Sequence, residues 1–199
     1  MAVAVGPESA MGLRDRALPL FGFAGAFRRS KLVALNTWKL EKREEGLKVA
    51  IEWSKTDQNA QGHVIAVARQ TNSPYCPIQA LHDWFTDAEI ERGALSRHMF
   101  RRDKVGDCRL TAQSVAPVVK EYKSRAGLDW ERYAGHSLRS GFLISAAMNK
   151  SSLFKMADQF RRKSLDVLQL NVRTEDQFNS NAGANSLVAE DPLCISDNE

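Results

Sequence analysis

Gly135-His136-Ser137-Leu138-Arg139-Ser140-Gly141 is a Gly-His-x-x-Arg turn whose pattern predicts the start of a helix carrying Phe142 and Ala146. Residues three apart share one helix face, so His136 and Arg139 can both reach one anion held near the helix start. A donor and a cation placed this way suit phosphoryl chemistry. In isolation, a histidine at a helix start is as readily a cap or a packing residue, and an arginine as readily a solvated charge. The turn gains weight from three other segments that fall in a matching order along the chain.

The frame around it is ordinary. A chain of 199 residues, 43% apolar and 26% charged, suits one globular domain with enough material for a core. No apolar run reaches the roughly 18 residues of a membrane span, and residues 1–12 lack the basic start and long apolar stretch of a secretory signal. The expected location is therefore cytoplasmic, at the nucleoid in a bacterial cell. Cys76, Cys108 and Cys194 are odd in number and form no Cys-x-x-Cys pair, and the four histidines are scattered. Neither a metal nor another cofactor is expected. Charge is uneven: residues 174–199 hold six acids and no base, so the first 173 carry 28 bases against 18 acids, a net +10. A body this basic is drawn to polyanions, nucleic acid first among them, although a soluble surface with some excess lysine has the same composition.

Periodicity divides the chain into helices around a small sheet. Residues 13–27 predict a helix, and Ser30 to Leu35 a short second one after a break at Arg28-Arg29. Alternation then predicts three strands, Trp38 to Lys42, Lys48 to Trp53 and His63 to Val67, with Glu45-Gly46 as the first turn. The second connection, from Ser54 to Gly62, is polar and holds one lysine, Lys55. Ile78, Leu81, Trp84 and Phe85 mark the buried side of a helix running to Ile90, and a short strand is expected near Met99-Phe100. Val115, Val118, Val119 and Tyr122 form another stripe ending at Gly127. Further helices are expected at Leu153 to Met156 and at Leu165 to Val172, the latter capped by Ser164. The fold class is α+β, mainly helical, with a three-stranded antiparallel sheet.

Arg28 at a helix break, Lys55 between two strands, and His136 with Arg139 at a helix start follow the order of the catalytic domain of the tyrosine recombinases, the phage-integrase family. Ala26-Phe27-Arg28-Arg29-Ser30-Lys31-Leu32 and Ser54-Lys55-Thr56-Asp57 carry the resemblance with the opening motif, and it runs over residues 13–187, leaving 1–12 as an extension and 188–199 as an acidic tail. The resemblance implies DNA breaking and rejoining for site-specific recombination and integration. Arg28, Arg139 and His136 match the groups that hold the non-bridging oxygens of the scissile phosphate and stabilise the charge of the transition state. Lys55 matches the general acid that protonates the leaving hydroxyl. Double-stranded DNA and other recombinase protomers are the implied partners, with no membrane and no small-molecule substrate. Relatives also carry an N-terminal helical domain that closes around DNA, whereas about a dozen residues precede the matching region here.

The match departs from the family's pattern near the C-terminal end. In Arg161-Arg162-Lys163-Ser164-Leu165, continuing to Leu170-Asn171-Val172, Arg162 stands where a second histidine or tryptophan belongs and Asn171 where the nucleophilic tyrosine belongs. Lys31 replaces the acid that follows the first arginine. An amide cannot replace a phenolate as the attacking group. The other tyrosines, Tyr75, Tyr122 and Tyr133, read as packing residues, and Pro19 and Pro117 mark either tolerated helix damage or shifted helix boundaries. The expectation is a DNA-binding domain that does not cleave alone, contacting DNA through Arg28, Arg29, Lys31, Lys55, Arg139, Arg161, Arg162 and Lys163, with Arg101, Arg102 and Lys104 on the same basic face. Cleavage with a tyrosine supplied in trans, and a protein-interaction role on the inherited fold, are the alternatives.

Overall fold

The computed structural model describes residues 9–51, 63–129, 131 and 137–149. In chain order these form α1 (Ala10–Ala24), α2 (Arg29–Val33), β1 (Leu40–Arg43), β2 (Gly46–Ile51), β3 (His63–Ala68), α3 (Pro77–Asp87), β4 (Arg97–Met99), β5 (Val105–Arg109), α4 (Val115–Arg125) and α5 (Ser137–Met148).

Helix α1 is the hub. It packs along α3 and also touches α4 and α5, so Ala17, Leu18 and Phe21 are almost wholly buried. Its N-terminus has no acid in the first turn, and Ser9 Oγ accepts from Gly12 N at 3.0 Å. The missing negative charge comes from far along the chain. The Asp103 carboxylate, in the turn between β4 and β5, accepts from Ala10 N at 2.6 Å and from Met11 N at 2.8 Å. An anion on these amides also complements the helix dipole. Asp103→Ala is expected to lower unfolding free energy by about 0.5–2 kcal/mol, read from urea denaturation; an unshifted midpoint would show that this cap contributes nothing.

Pro19 lies inside α1 and is buried, where it removes the donor that would serve the Asp15 carbonyl. Pro117 is the third residue of α4, in the first turn, where an amide has no intrahelical acceptor anyway. Pro117 is therefore a helix-start residue and does no damage. The two predicted stripes are the buried sides of their helices: Ile78, Leu81 and Trp84 on α3, and Val115, Val118, Val119 and Tyr122 on α4. Phe85 is only half-buried. The Trp84 indole, 1% exposed, donates from Nε1 to Leu95 O at 2.8 Å, which joins α3 to the approach to β4.

The three-stranded antiparallel sheet has the order β1-β2-β3, with Leu40 opposite Val49 and Val49 opposite Ile65. Leu47, Val49, Ile51, Ile65 and Val67 form its buried face. Two predicted boundaries shift. Trp38 belongs to a 3-10 turn (Thr37–Lys39) and is 68% exposed, so the first strand starts at Leu40. The hairpin turn is Glu44-Glu45, and Gly46 already belongs to β2 as the partner of Arg43. A side chain at Gly46 would put its Cβ 2.1 Å from Val67 O, which explains the glycine at this ladder position.

The strand expected near Met99-Phe100 is real as Arg97–Met99, but it pairs with an unpredicted partner, β5, in a second antiparallel sheet of two strands. β5 reads Val-Gly-Asp-Cys-Arg and buries only its glycine fully, so it lacks the alternation that marks a strand. The predicted helices at residues 153–156 and 165–172, and the end of the predicted strand at Glu52-Trp53, lie outside the described residues. Among the described residues, no helix is long and apolar enough to cross a membrane.

Candidate phosphate-binding site

The corner between α1 and α2 is built by hydrogen bonds that end one helix and begin the next. Phe27 N donates to Gly22 O at 3.0 Å and Ala26 N to Phe23 O at 2.9 Å, the paired bonds of a Schellman cap. The residue at the left-handed position is Ala26, with φ 47°, where glycine is usual. Phe27 then turns inward, 1% exposed, with its ring centroid 5.5 Å from that of Phe21. Because Phe27 points in, the next residue faces out: Arg28 is exposed and takes the N-cap position of α2, its carbonyl accepting from Lys31 N and Leu32 N at 2.9 Å each.

Helix α5 meets this corner from the other side. Its described residues run from Ser137 to Met148 and include Arg139 of the Gly-His-x-x-Arg segment, as that reading expects of a helix there. Gly22 permits the close approach, since a Cβ there would lie 2.8 Å from Leu32 Cδ2 and 3.1 Å from Leu138 Cδ1. Phe142 packs edge-on against Phe23 at 6.0 Å between centroids. Arg139 is buried, and its Nη1 donates to Ala26 O at 2.7 Å, joining positions 113 residues apart in sequence. The two arginines of the predicted constellation thus belong to one corner: the side chain of Arg139 holds the peptide two residues before Arg28.

Of the other predicted contacts, Arg29 and Lys31 are partly exposed on α2, and Arg101, Arg102 and Lys104 are exposed in the turn between β4 and β5. Arg139 lies inside the protein and so is not part of an open basic face. Lys55, His136, Arg161, Arg162, Lys163 and Asn171 lie outside the described residues. His136 directly precedes the first residue of α5, and Lys55 belongs to the connection between Ile51 and His63, which are register partners in β2 and β3. Tyr75 is 45% exposed and is not the packing residue expected; Tyr122 is buried, and Tyr133 is outside the described residues. Cys76 is buried and Cys108 exposed, with Cys194 outside the described residues. A cavity of about 450 Å³ opens between the sheet and α3, beside Leu40, Leu47, Ile78 and Phe85, and neither Arg28 nor Arg139 lines it.

Two residues that support the corner have no sequence signature. Arg109, at the end of β5, donates from Nη1 to Val33 O and to Leu35 O, the latter at 3.0 Å, and from Nη2 to Asn36 Oδ1 at 2.5 Å. Asn36 is 8% exposed and bridges to Ala94. An arginine in a polar strand and an asparagine after a short helix both read as solvated residues.

No family model matches the chain. It is 38% identical over 175 residues to the "Integrase/recombinase xerD homolog" of Selenomonas ruminantium, a match that covers 88% of this chain and 51% of that protein. The chain therefore spans about half the length of this curated relative. Its fold is similar to that of XerH site-specific recombinase in the pre-cleavage complex with difH substrate, with TM-score 0.67 at 14% identity over 90% of this chain and 48% of that one. The post-cleavage XerH complex with palindromic difH gives 0.64 at 14% identity, over 85% and 44%. XerA recombinase gives 0.62 at 15% identity, over 88% and 57%.

Proposed function

Because the chain belongs to the tyrosine recombinase family while spanning about half of its curated relative, we propose that it is a recombinase-type domain that grips a phosphate of duplex DNA and does not cut it alone. The observation that carries this reading is the bond from Arg139 Nη1 to Ala26 O, which joins the Gly-His-x-x-Arg segment to the corner that presents Arg28. Guanidinium groups present planar donor forks that match phosphate oxygens. Arg28 is the exposed one and reaches outward. Arg139 supports it from inside, and His136, one residue before α5, completes the set. Lys55 is assigned the proton delivered to the leaving oxygen in relatives that cleave.

Asn171 at the nucleophile position supports loss of cleavage. Attack on phosphorus needs an ionisable hydroxyl that can form a covalent ester, and a carboxamide offers no such oxygen. The partner is duplex DNA, bound by its backbone.

The test has two arms. Binding to duplex DNA should weaken with salt along a log-log slope of about 0.9 per phosphate neutralised, and binding that is absent or indifferent to salt would refute the reading. On a suicide DNA substrate, which traps a covalent intermediate, the chain alone should form no adduct. An adduct would show that it supplies a nucleophile after all, and an adduct formed only on mixing with an intact recombinase would show that the nucleophile comes from the partner.

A further inference from the structure

We propose that Arg109 is a positioning residue for Arg28, acting through α2; this rests on the reading of Arg28 as a phosphate contact. Helix α2 has five residues, too few to hold itself by its own hydrogen bonds, and its last carbonyls have no acceptor role within the helix. Arg109 engages that end, donating to the carbonyls of Val33 and Leu35 and to the side-chain oxygen of Asn36. The same stretch is tied down by backbone: Leu95 N donates to Leu35 O at 3.1 Å and Thr37 N to Gly93 O at 2.9 Å. At the other end, Arg139 holds the Ala26 carbonyl. Guanidiniums from two different elements therefore grip the segment that carries Arg28, one before it and one after it.

Releasing Arg109 leaves the chain held before α2 by Arg139 and after it by the Leu35 and Thr37 backbone bonds, and loosens between them the angle at which the Arg28 side chain leaves the surface. Lysine cannot replace Arg109, because a single ammonium on a flexible stem does not reproduce a planar fork that serves two carbonyls and an amide oxygen at once.

The experiment titrates a mixed-sequence duplex DNA with the full chain at several salt concentrations, comparing wild type, Arg28→Ala, Arg109→Ala and the double variant. Arg28→Ala should lower the log-log salt slope by about 0.9, the loss of one phosphate contact. Arg109→Ala should lower it by the same amount, and the double variant no further. An unchanged slope for Arg109→Ala overturns the proposal, and so does an additive loss in the double variant, which would make Arg109 a DNA contact itself. Should Arg109→Ala not fold, Arg109→Lys and Asn36→Ala take its place, with the same slope loss expected.

Amide exchange gives a readout without DNA. The Lys31 and Leu32 amides, which bond to the Arg28 carbonyl, should exchange at least roughly tenfold faster in Arg109→Ala if Arg109 holds α2. Unchanged exchange sinks the positioning role even if DNA is bound. Faster exchange in a chain whose wild type binds no DNA sinks the phosphate-contact reading instead.

Discussion

Replacing Asp15 with alanine should remove about 3–5 kcal/mol of unfolding free energy, the cost of leaving a buried charge without its partner. Arg14 and Asp15 are 7% and 5% exposed. Arg14 Nε donates to Asp15 Oδ1 at 2.6 Å, and the Tyr122 hydroxyl, arriving from α4, donates to Oδ2 at 3.2 Å. Arg125 lies over the Tyr122 ring, 5.0 Å from its centroid. Without the carboxylate, a guanidinium that cannot shed its proton is left in the interior, and the phenol loses its acceptor. Tyr122→Phe should cost only about 1–2 kcal/mol, because it removes one hydrogen bond and strands no charge. Urea unfolding of the two variants checks the order, and an Asp15→Ala variant as stable as wild type would refute the account.

The same cluster sets a dependence on alkali. Burial pushes the Tyr122 hydroxyl up to about 12, reinforced by the Asp15 charge and its hydrogen bond. A group whose folded value is raised contributes stability that is fully present below its unfolded value and lost as pH rises through the folded one. Wild type should therefore lose stability between about pH 10 and 12 beyond what Tyr122→Phe loses over the same range. Burial also lifts the Asp15 carboxyl above its usual range, against the pull of Arg14.

Arg139→Ala should have the second large effect, on two separate readouts. A charged donor on a buried carbonyl is worth about 1.5–3 kcal/mol of stability, and Ala26 O would lose that donor. Under the proposed function, DNA affinity should also fall. A slope of 0.9 makes each phosphate contact worth roughly fivefold at 0.15 M salt, so misaiming Arg28 through the loss of Arg139 costs roughly fivefold. The titration belongs at a temperature where the variant is fully folded. Affinity within twofold of wild type there would show that this corner does not hold phosphate.

Much of the architecture could be read in the sequence, and the reason is periodic burial. Val115, Val118, Val119 and Tyr122 repeat at helical spacing because one side of α4 faces the core, and Leu47, Val49 and Ile51 alternate because one face of β2 does. Helix α5 was legible from Gly-His-x-x-Arg, and the break at Arg28 from paired arginines between apolar runs. The hidden part consists of charged groups that are buried, as Arg14 and Asp15 are, or that bond from the surface to distant backbone, as Asp103 and Arg109 do. Arg14, Asp15, Asp103 and Arg109 look like solvated charges in one dimension. Asp103 finds its amides 92 and 93 residues away, and Arg109 its acceptors 73 to 76 residues away. The turn between β4 and β5 was invisible for a different reason: Arg102 and Asp103 adopt positive φ there, which glycine or asparagine would have announced.

Ala26 places a limit on how this corner can change. Its left-handed backbone costs a side-chain-bearing residue about 1–2 kcal/mol, yet its methyl is wholly buried, worth about 0.8 kcal/mol that glycine would forfeit along with some of its own chain entropy. The two choices nearly cancel, so drift between them is close to neutral. Every bulkier amino acid meets the torsional penalty and a filled interior together. The hinge peptide is thereby confined to the two smallest members of the genetic code, however freely the surface around it diverges.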